Sequence, residues 1–338
     1  MRLMSVPESY ELNDLALFTR EELLQPGPGQ VLIRNYAVSL NYRDLLVVTG
    51  FTGWRPPPGR IPCSDATGEV IATGRNVSRF RTGDRVMTSI LPNWRDGQLT
   101  VAKREGGLGG PVRDGVLASV FLAEEESIVA VPDYLSDVEA ATLPTAALTA
   151  WHAITRAQAL RSDATILIGG TGGVSIFALQ IALAAGARVL MTSGSDKKGE
   201  KVVSLGADAA VNYLANPDWS QEILSITNGR GVDLAIDIGG ASTLNESIRS
   251  TMVGGTTSIV GLAGGLHASI NLAEVFQRNI RIDGIETGSV RMLEDMLEWF
   301  SLKKIRPLVH QVFNLEDSRQ AFNTLKQGNH IGKICIQF

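Results

Sequence analysis

Apolar residues follow two different rhythms along this chain. From Ala164 onward, short apolar runs alternate with stretches whose apolar positions recur at helical spacing. Ala164–Ile168, Arg188–Thr192, Ala209–Asn212, Val232–Asp237, Thr256–Val260 and Ile280–Ile285 read as strands. Between them Val174–Ala185, Lys198–Leu205, Trp219–Thr227 and Thr243–Thr251 read as helices, the first two stopped by Gly186 and Gly206. Apolar strands with helices between most of them predict an α/β fold built on a parallel, doubly wound sheet covered on both faces. The N-terminal part reads differently. Gln30–Ser39, Ala66–Thr73, Asp84–Ser89 and Val116–Leu122 are short β-rich pieces separated by Pro26–Gly29, Pro56–Gly59 and Arg81–Asp84. That pattern predicts a mostly antiparallel, barrel-like domain. The tail, Arg306–Phe338, returns to short strands around a helix at Asp317–Lys326 and is expected to pack on the N-terminal part. The predicted division is residues 1–133 with 287–338 as one domain and 134–286 as the other.

One turn carries chemistry. Four of the five residues after Ile168 are glycine, and a helical run follows at once. A strand, a turn without side chains and a helix N-terminus form the order that a dinucleotide needs. Glycines let the backbone approach a pyrophosphate, and the free N–H groups of the helix favour the anion. The glycine pattern alone is weak; its strand–turn–helix context makes it specific. The alternative is a glycine-rich turn without a ligand.

Composition narrows the classes. With 338 residues, 44% hydrophobic and 20% charged, the chain can bury the cores of two domains. A net charge of −4 without a basic block argues against nucleic acid. No apolar stretch reaches the length of a membrane span. Met1–Glu8 lacks the apolar core of a secretion signal, so a cytoplasmic location is expected. The two cysteines, Cys63 and Cys335, lie far apart, which favours neither a disulfide scaffold nor a cysteine-based zinc site.

Several motifs in order resemble the medium-chain dehydrogenase/reductase superfamily over nearly the whole length. They are Ser39–Asp44, Gly68–Val70, Thr82–Val86, Ala140–Pro144, Leu148–Trp151, Gly170–Val174, Leu205–Asp208 and Gly332–Ile334. The resemblance implies a GroES-like β-barrel domain plus a Rossmann domain. In the zinc-dependent alcohol dehydrogenases of that superfamily, two cysteines and a histidine hold a catalytic zinc. The matching positions here are Asn41, Thr145 and Ser64, all poor zinc ligands. The loop that carries structural-zinc cysteines in that branch corresponds to Pro92–Gly115, which has six glycines and no cysteine. No metal is expected. Without a Lewis acid, alcohol oxidation at neutral pH loses its main driving group, whereas hydride transfer to an activated acceptor stays feasible. The chain is therefore most similar to the zinc-free branch of quinone oxidoreductases and enone or enoyl reductases.

An acidic residue about 20 positions past the glycines usually holds the ribose of NAD. Counting from Gly173 reaches Ser193 instead. Hydroxyls at Ser193 and Ser195 with Lys197 or Lys198 beyond suit a 2′-phosphate, so NADP(H) is the expected cofactor, with Lys198 as the cation. Asp196 tempers this, although it also reads as the N-cap of the Lys198 helix. The expected cradle is Gly170, Thr171, Gly172, Gly173 and Val174, and Ser175 takes the place of the third glycine. By resemblance, Thr149 would face the nicotinamide amide, Tyr213 the 2′-phosphate or adenosine, Gly239, Gly261 and Leu262 the nicotinamide ribose, and Lys333 the phosphates. The bland readings are turn glycines and, for Lys333, a solvated surface charge.

The catalytic candidates are Asn41, Tyr42 and Asp44. The amide of Asn41 can donate to a carbonyl oxygen, and it is equally readable as a turn Asn bonding its own backbone. Tyr42 offers a phenolic proton but reads more readily as a core aromatic. Asp44 is suited to ordering the loop or Arg43. Asp65 reads as one half of a structural salt bridge, and Trp54, Trp94 and Trp151 as walls of an apolar pocket or as core. A tyrosine that similar reductases often carry shortly after this motif is absent, since its candidate positions hold Leu46 and Thr52. Protonation is thereby left to solvent, to Tyr42 or to a cofactor hydroxyl relay. The edge strand Ile280–Ile285 would be exposed, and by resemblance it is expected to pair across a homodimer. The readings that remain are a quinone or conjugated-carbonyl reductase, a zinc-free alcohol or aldehyde dehydrogenase, and a non-catalytic NADPH-binding sensor or structural protein.

Overall fold

The computed structural model describes residues 1–21 and 24–338. The chain begins with β1 (Arg2–Ser5), β2 (Ala16–Thr19), β3 (Gln30–Ser39), α1 (Tyr42–Val48), β4 (Asp65–Thr73) and β5 (Arg85–Thr88). There follow α2 (Val101–Arg104), β6 (Val120–Glu124), β7 (Ile128–Ala130), α3 (Asp137–Ala141) and α4 (Leu148–Arg156). Next come β8 (Thr165–Gly169), α5 (Gly173–Ala184), β9 (Arg188–Ser193), α6 (Asp196–Ser204) and β10 (Ala209–Asn212). They continue as α7 (Trp219–Ile226), β11 (Val232–Asp237), α8 (Leu244–Ser250), β12 (Thr251–Ile259), α9 (Leu272–Gln277) and β13 (Arg281–Gly284). The chain closes with α10 (Val290–Lys303), β14 (Val309–Asn314), α11 (Ser318–Gln327) and β15 (Lys333–Gln337).

Met1–Leu148 and Thr287–Phe338 form one compact unit, and Thr149–Glu286 forms a second. The boundary expected between residues 133 and 134 thus falls between 148 and 149. The cause is α3, which packs on β3, β4 and β15 and holds the intervening residues to the first unit.

The first unit is a mostly antiparallel sheet in the order β14-β15-β3-β4-β5-β7, with β6 added against β3. Alternate β3 residues, including Val31 and Ile33, point into a core shared with Leu3, Val47, Phe322 and Ile336. The strand expected at Val116–Leu122 is observed as β6, later in the chain. Its first residues are captured elsewhere: Leu117 O accepts from Met4 N, and Asn35 Nδ2 donates to Val116 O and Ala118 O. The glycine-rich loop of residues 92–115 closes tightly on residues 61–63. A Cβ on Gly115 would lie 2.0 Å from Cys63 O, and one on Gly109 would lie 2.6 Å from it. Glycine is therefore a steric requirement there.

The second unit is a six-stranded parallel sheet in the order β10-β9-β8-β11-β12-β13. This is the Rossmann order, with the first strand central and the chain reversing direction beside it. Strands β8 and β11 are buried along almost their whole length and mostly apolar, as a sheet covered on both faces requires. Strand β12 begins earlier than expected, because Gly254 and Gly255 form an irregularity within the strand instead of ending it. Strand β13 is at the sheet edge. Among the described residues, no helix is long and apolar enough to cross a membrane.

Candidate active site

In the first unit the site is built where β15, β3 and β4 meet. Strand register pairs Cys335 with Ser39 and Ser39 with Asp65. Lys333, the first residue of β15, consequently stands beside the chain leaving β3. Its Nζ donates to Leu40 O at 2.5 Å and to Asn41 Oδ1 at 2.6 Å. Asn41 is the N-cap of α1, and its own N–H donates to Asp44 Oδ2 at 2.8 Å. Because an ammonium can only donate, Asn41 must turn its oxygen to Lys333 and its amide nitrogen away. That nitrogen, Nδ2, is buried and has no hydrogen-bond partner among the described residues. Asn41 as a whole is 9% exposed. A buried donor left unpaired costs about 1–3 kcal/mol, which an arriving acceptor oxygen would relieve.

Asp44 is fully buried, and its Oδ1 accepts from Arg43 Nη1 at 3.2 Å. Burial raises its carboxyl to about 6, against the pull of Arg43, the Asn41 N–H and Lys333. Arg43 also donates to Leu108 O and lies over the Trp54 ring, so Asp44 orders Arg43 and the glycine-rich loop. Burial pushes the Lys333 ammonium down, and the carboxylates of Asp65 and Asp44 act in the opposite sense. Both cysteines are buried free thiols, raised by the same loss of solvent.

Several expectations need correction here. Lys333 is not a solvated surface charge; its ammonium is buried against Leu40 O and Asn41 Oδ1. Tyr42 is half exposed and not a core aromatic, because the first position of α1 points it outward. Asp65 makes no salt bridge among the described residues. Its Oδ1 accepts from Ser64 Oγ at 2.7 Å and Thr145 Oγ1 at 2.6 Å, and its Oδ2 from Thr145 N at 3.0 Å. Thr145 lies in a π-helical turn, Leu143–Ala147, a geometry that recurs at functional sites. Trp94 is core, packed with Ile90 and Leu91, and its indole donates to Gly97 O. Trp151 is buried as well.

Asn41, Ser64 and Thr145 do not suit a zinc ion. The amide oxygen accepts from an ammonium, both hydroxyls donate to Asp65, and a buried cation already stands beside them. Among the described residues, no three His, Cys, Asp or Glu side chains are gathered as metal ligands.

In the second unit the glycine turn has the form of a pyrophosphate cradle. Gly170 has φ +72°, and a Cβ on Gly172 would meet nothing within 4 Å, so the turn presents bare backbone to open space. Helix α5 starts at Gly173 with no side-chain cap, leaving its first N–H groups, including that of Val174, for an anion. Thr171 is buried in the turn. Ser175 donates to Gly169 O at 2.6 Å, fixing the helix to the strand it follows. Thr149 is buried in the first turn of α4. A Cβ on Gly239 would lie 2.4 Å from Thr243 Oγ1, and one on Gly261 would lie 2.3 Å from Ile238 O. Both glycines are thus required by close packing, while Leu262 beside them is exposed.

At the end of β9, Ser193 is buried, and its hydroxyl both donates to Ser195 O and accepts from Ser195 N. It is engaged inside its own turn, so of the residues expected around a 2′ substituent Ser195, Lys198 and Tyr213 remain as candidates. Tyr213 follows β10, and its hydroxyl sits over Gly194, 2.8 Å from where a Cβ there would be. Burial lowers the Lys198 ammonium. The N-cap of α6 is Ser195 and not Asp196, whose Oδ1 accepts from Asn212 Nδ2 at 2.7 Å. A pocket between α6 and β10 is lined by Ser193 and Ser195 together with Asp196, Glu200 and Asn212. Its two carboxylates disfavour a phosphate inside it, so a phosphate at Ser195 would have to lie outside this pocket.

Residues 27–133 match the family model described as an alcohol dehydrogenase GroES-like domain, and residues 173–302 match that of a zinc-binding dehydrogenase. A zinc-type alcohol dehydrogenase-like protein of Schizosaccharomyces pombe is 37% identical over 317 residues, covering 92% of this chain and 91% of its own. An acryloyl-coenzyme A reductase of Metallosphaera sedula is 27% identical over 322 residues, covering 92% of this chain and 93% of its own. A solved NAD-dependent alcohol dehydrogenase superposes with a TM-score of 0.91 at 31% identity, covering 100% of both chains. The chain belongs to the medium-chain dehydrogenase/reductase superfamily, whose members bind nicotinamide cofactors.

Proposed function

We propose that this protein is an NADPH-dependent, zinc-independent oxidoreductase that transfers hydride to a quinone or an α,β-unsaturated carbonyl. The observation that carries the reading is the buried, unpartnered Nδ2 of Asn41 beside the Lys333 ammonium, at the position where the zinc branch has a metal ligand. An N–H donor fixed there stabilises negative charge developing on an acceptor oxygen, which is the electrostatic task of an oxyanion hole.

The glycine turn from Gly170 to Val174 would hold the pyrophosphate, and Ser195, Lys198 and Tyr213 the 2′-phosphate. When bound, the reduced nicotinamide supplies the hydride. Asp44 holds the Asn41 backbone, and Asp65 holds Ser64 and Thr145. The proton that completes the reduction comes from solvent or from the half-exposed Tyr42. The acryloyl-coenzyme A reductase among the relatives supports a conjugated carbonyl acceptor. A cytoplasmic location and a homodimer paired along β13 belong to the same reading. Sedimentation at twice the chain mass supports the dimer; a monomer at micromolar concentration removes it.

The second reading is a zinc-free alcohol or aldehyde dehydrogenase, favoured by the alcohol dehydrogenases among the neighbours. Steady-state assays decide between them. Purified protein treated with a chelator is offered NADPH or NADH with a panel of quinones, enones and enoyl thioesters, and in parallel NADP+ with alcohols. Cofactor oxidation with a quinone or conjugated carbonyl is the expected result. Alcohol-dependent reduction of NADP+ alone would favour the second reading, and NADPH binding without any turnover would favour a sensor.

A further inference from the structure

We propose that Lys333 is a positioning residue for Asn41, holding the amide oxygen so that the N–H2 group faces the acceptor and donates more strongly. This rests on the reading of Asn41 as the group that meets the acceptor oxygen.

Three observations carry it. The first is directional. Lys333 Nζ donates to Asn41 Oδ1 at 2.6 Å and to Leu40 O at 2.5 Å, so the amide cannot turn over without placing its own N–H2 against an ammonium. The second is the cost of the arrangement. Lys333 is 3% exposed, and a buried ammonium is expensive unless paired. A neutral side chain would tie β15 to Leu40 O at far lower cost, so the charge points to a further role. The third is electronic. A cation bonded to the oxygen of an amide draws density from the nitrogen, and hydrogen bonds in such a chain strengthen one another. The positive charge thus acts on the acceptor through the Asn41 amide.

A double-mutant cycle on the full-length protein tests this, with kcat for an enone or quinone, NADPH Kd and thermal melting as readouts. Asn41→Ala is expected to lower kcat about 100-fold, the size seen for loss of one oxyanion donor. Lys333→Gln is expected to lower kcat at least about tenfold, with NADPH Kd within about twofold of wild type, as for groups that orient a reacting ligand. The double variant is expected to be no slower than Asn41→Ala, because both changes remove one device. Losses that multiply in the double variant would overturn the proposal. So would wild-type kcat in Lys333→Gln, or weakened NADPH binding as its only defect. If Asn41→Ala itself keeps wild-type kcat, the reading of Asn41 falls and this proposal with it. Should Lys333→Gln fail to fold, Lys333→Met, which keeps the length of the side chain without its charge, is expected to show the same loss of kcat; wild-type kcat in a folded Lys333→Met would overturn the proposal.

Discussion

Lys333 Nζ and Asn41 Oδ1 meet at 2.6 Å across 292 positions of sequence. The contact exists because β15 pairs with the end of β3 and delivers its first residue to the chain turning into α1. It leaves Asn41 with one committed atom and one uncommitted donor, and the consequences are measurable.

Asp44 makes stability depend on pH in a defined sense. Burial raises its carboxyl to about 6, with Arg43, the Asn41 N–H and Lys333 pulling down and Asp65 pushing up. A raised carboxyl binds its proton more tightly in the folded state. Its stabilising contribution is therefore complete at low pH and is lost as pH rises through the folded value. Relative to Asp44→Asn, wild-type unfolding free energy should fall by about 2 kcal/mol from pH 4 to pH 7 and stay level above that. Urea unfolding across this range would show it, and a difference that grows with pH would contradict it.

The glycine-rich loop should tolerate substitution unevenly. Gly115→Ala drives a Cβ to 2.0 Å from Cys63 O and 2.4 Å from Pro62 O, so it should cost at least about 3 kcal/mol. Gly83 has φ +96°, but a Cβ there meets nothing within 4 Å; Gly83→Ala should cost only about 1 kcal/mol of backbone strain. Melting of the two variants compares a steric clash with conformational strain alone.

Gly172→Ala should separate folding from cofactor binding. Its Cβ meets nothing within 4 Å, so the cofactor-free protein should melt within a few degrees of wild type. The added methyl would occupy the bare face of the turn, and NADPH Kd should rise at least about tenfold. An unchanged Kd would mean that the turn is not a phosphate cradle.

Lys198 should decide between cofactors. Lys198→Ala should raise NADPH Kd about tenfold or more and leave NADH Kd unchanged, since only the former offers a phosphate to an ammonium. Equal losses for both would place Lys198 in a structural role.

Local pattern made the second unit legible. Its parallel strands and the helices between them follow from apolar runs and closing glycines, and Ala209–Asn212 and Val232–Asp237 coincide with β10 and β11. Helix α10 follows a local signal of the same kind: Ser289 as N-cap, then Val290, Leu293, Leu297 and Phe300 at helical spacing. The Asn41, Ser64 and Thr145 substitutions were also visible. Most of what they touch was not, because the partners of Asn41 and Thr145 are brought in from distant parts of the chain. Lys333 sits in a motif whose spacing says nothing about β15 lying beside Leu40, and Asp65 takes hydroxyl partners from the preceding residue, Ser64, and from a π-helical turn at residues 143–147. The Ser193 hydroxyl was legible as a residue type, but its engagement in its own turn depends on backbone angles.

The central claim is that a metal-independent hydride transfer is polarised by Asn41. It is tested most directly by measuring NADPH oxidation with an enone and quinone panel in the presence of chelator, for wild type and Asn41→Ala. The account predicts turnover of at least one acceptor by the chelated wild type, with kcat about 100-fold lower in a folded, NADPH-binding Asn41→Ala. No turnover of any acceptor, or equal kcat in the two proteins, would contradict it.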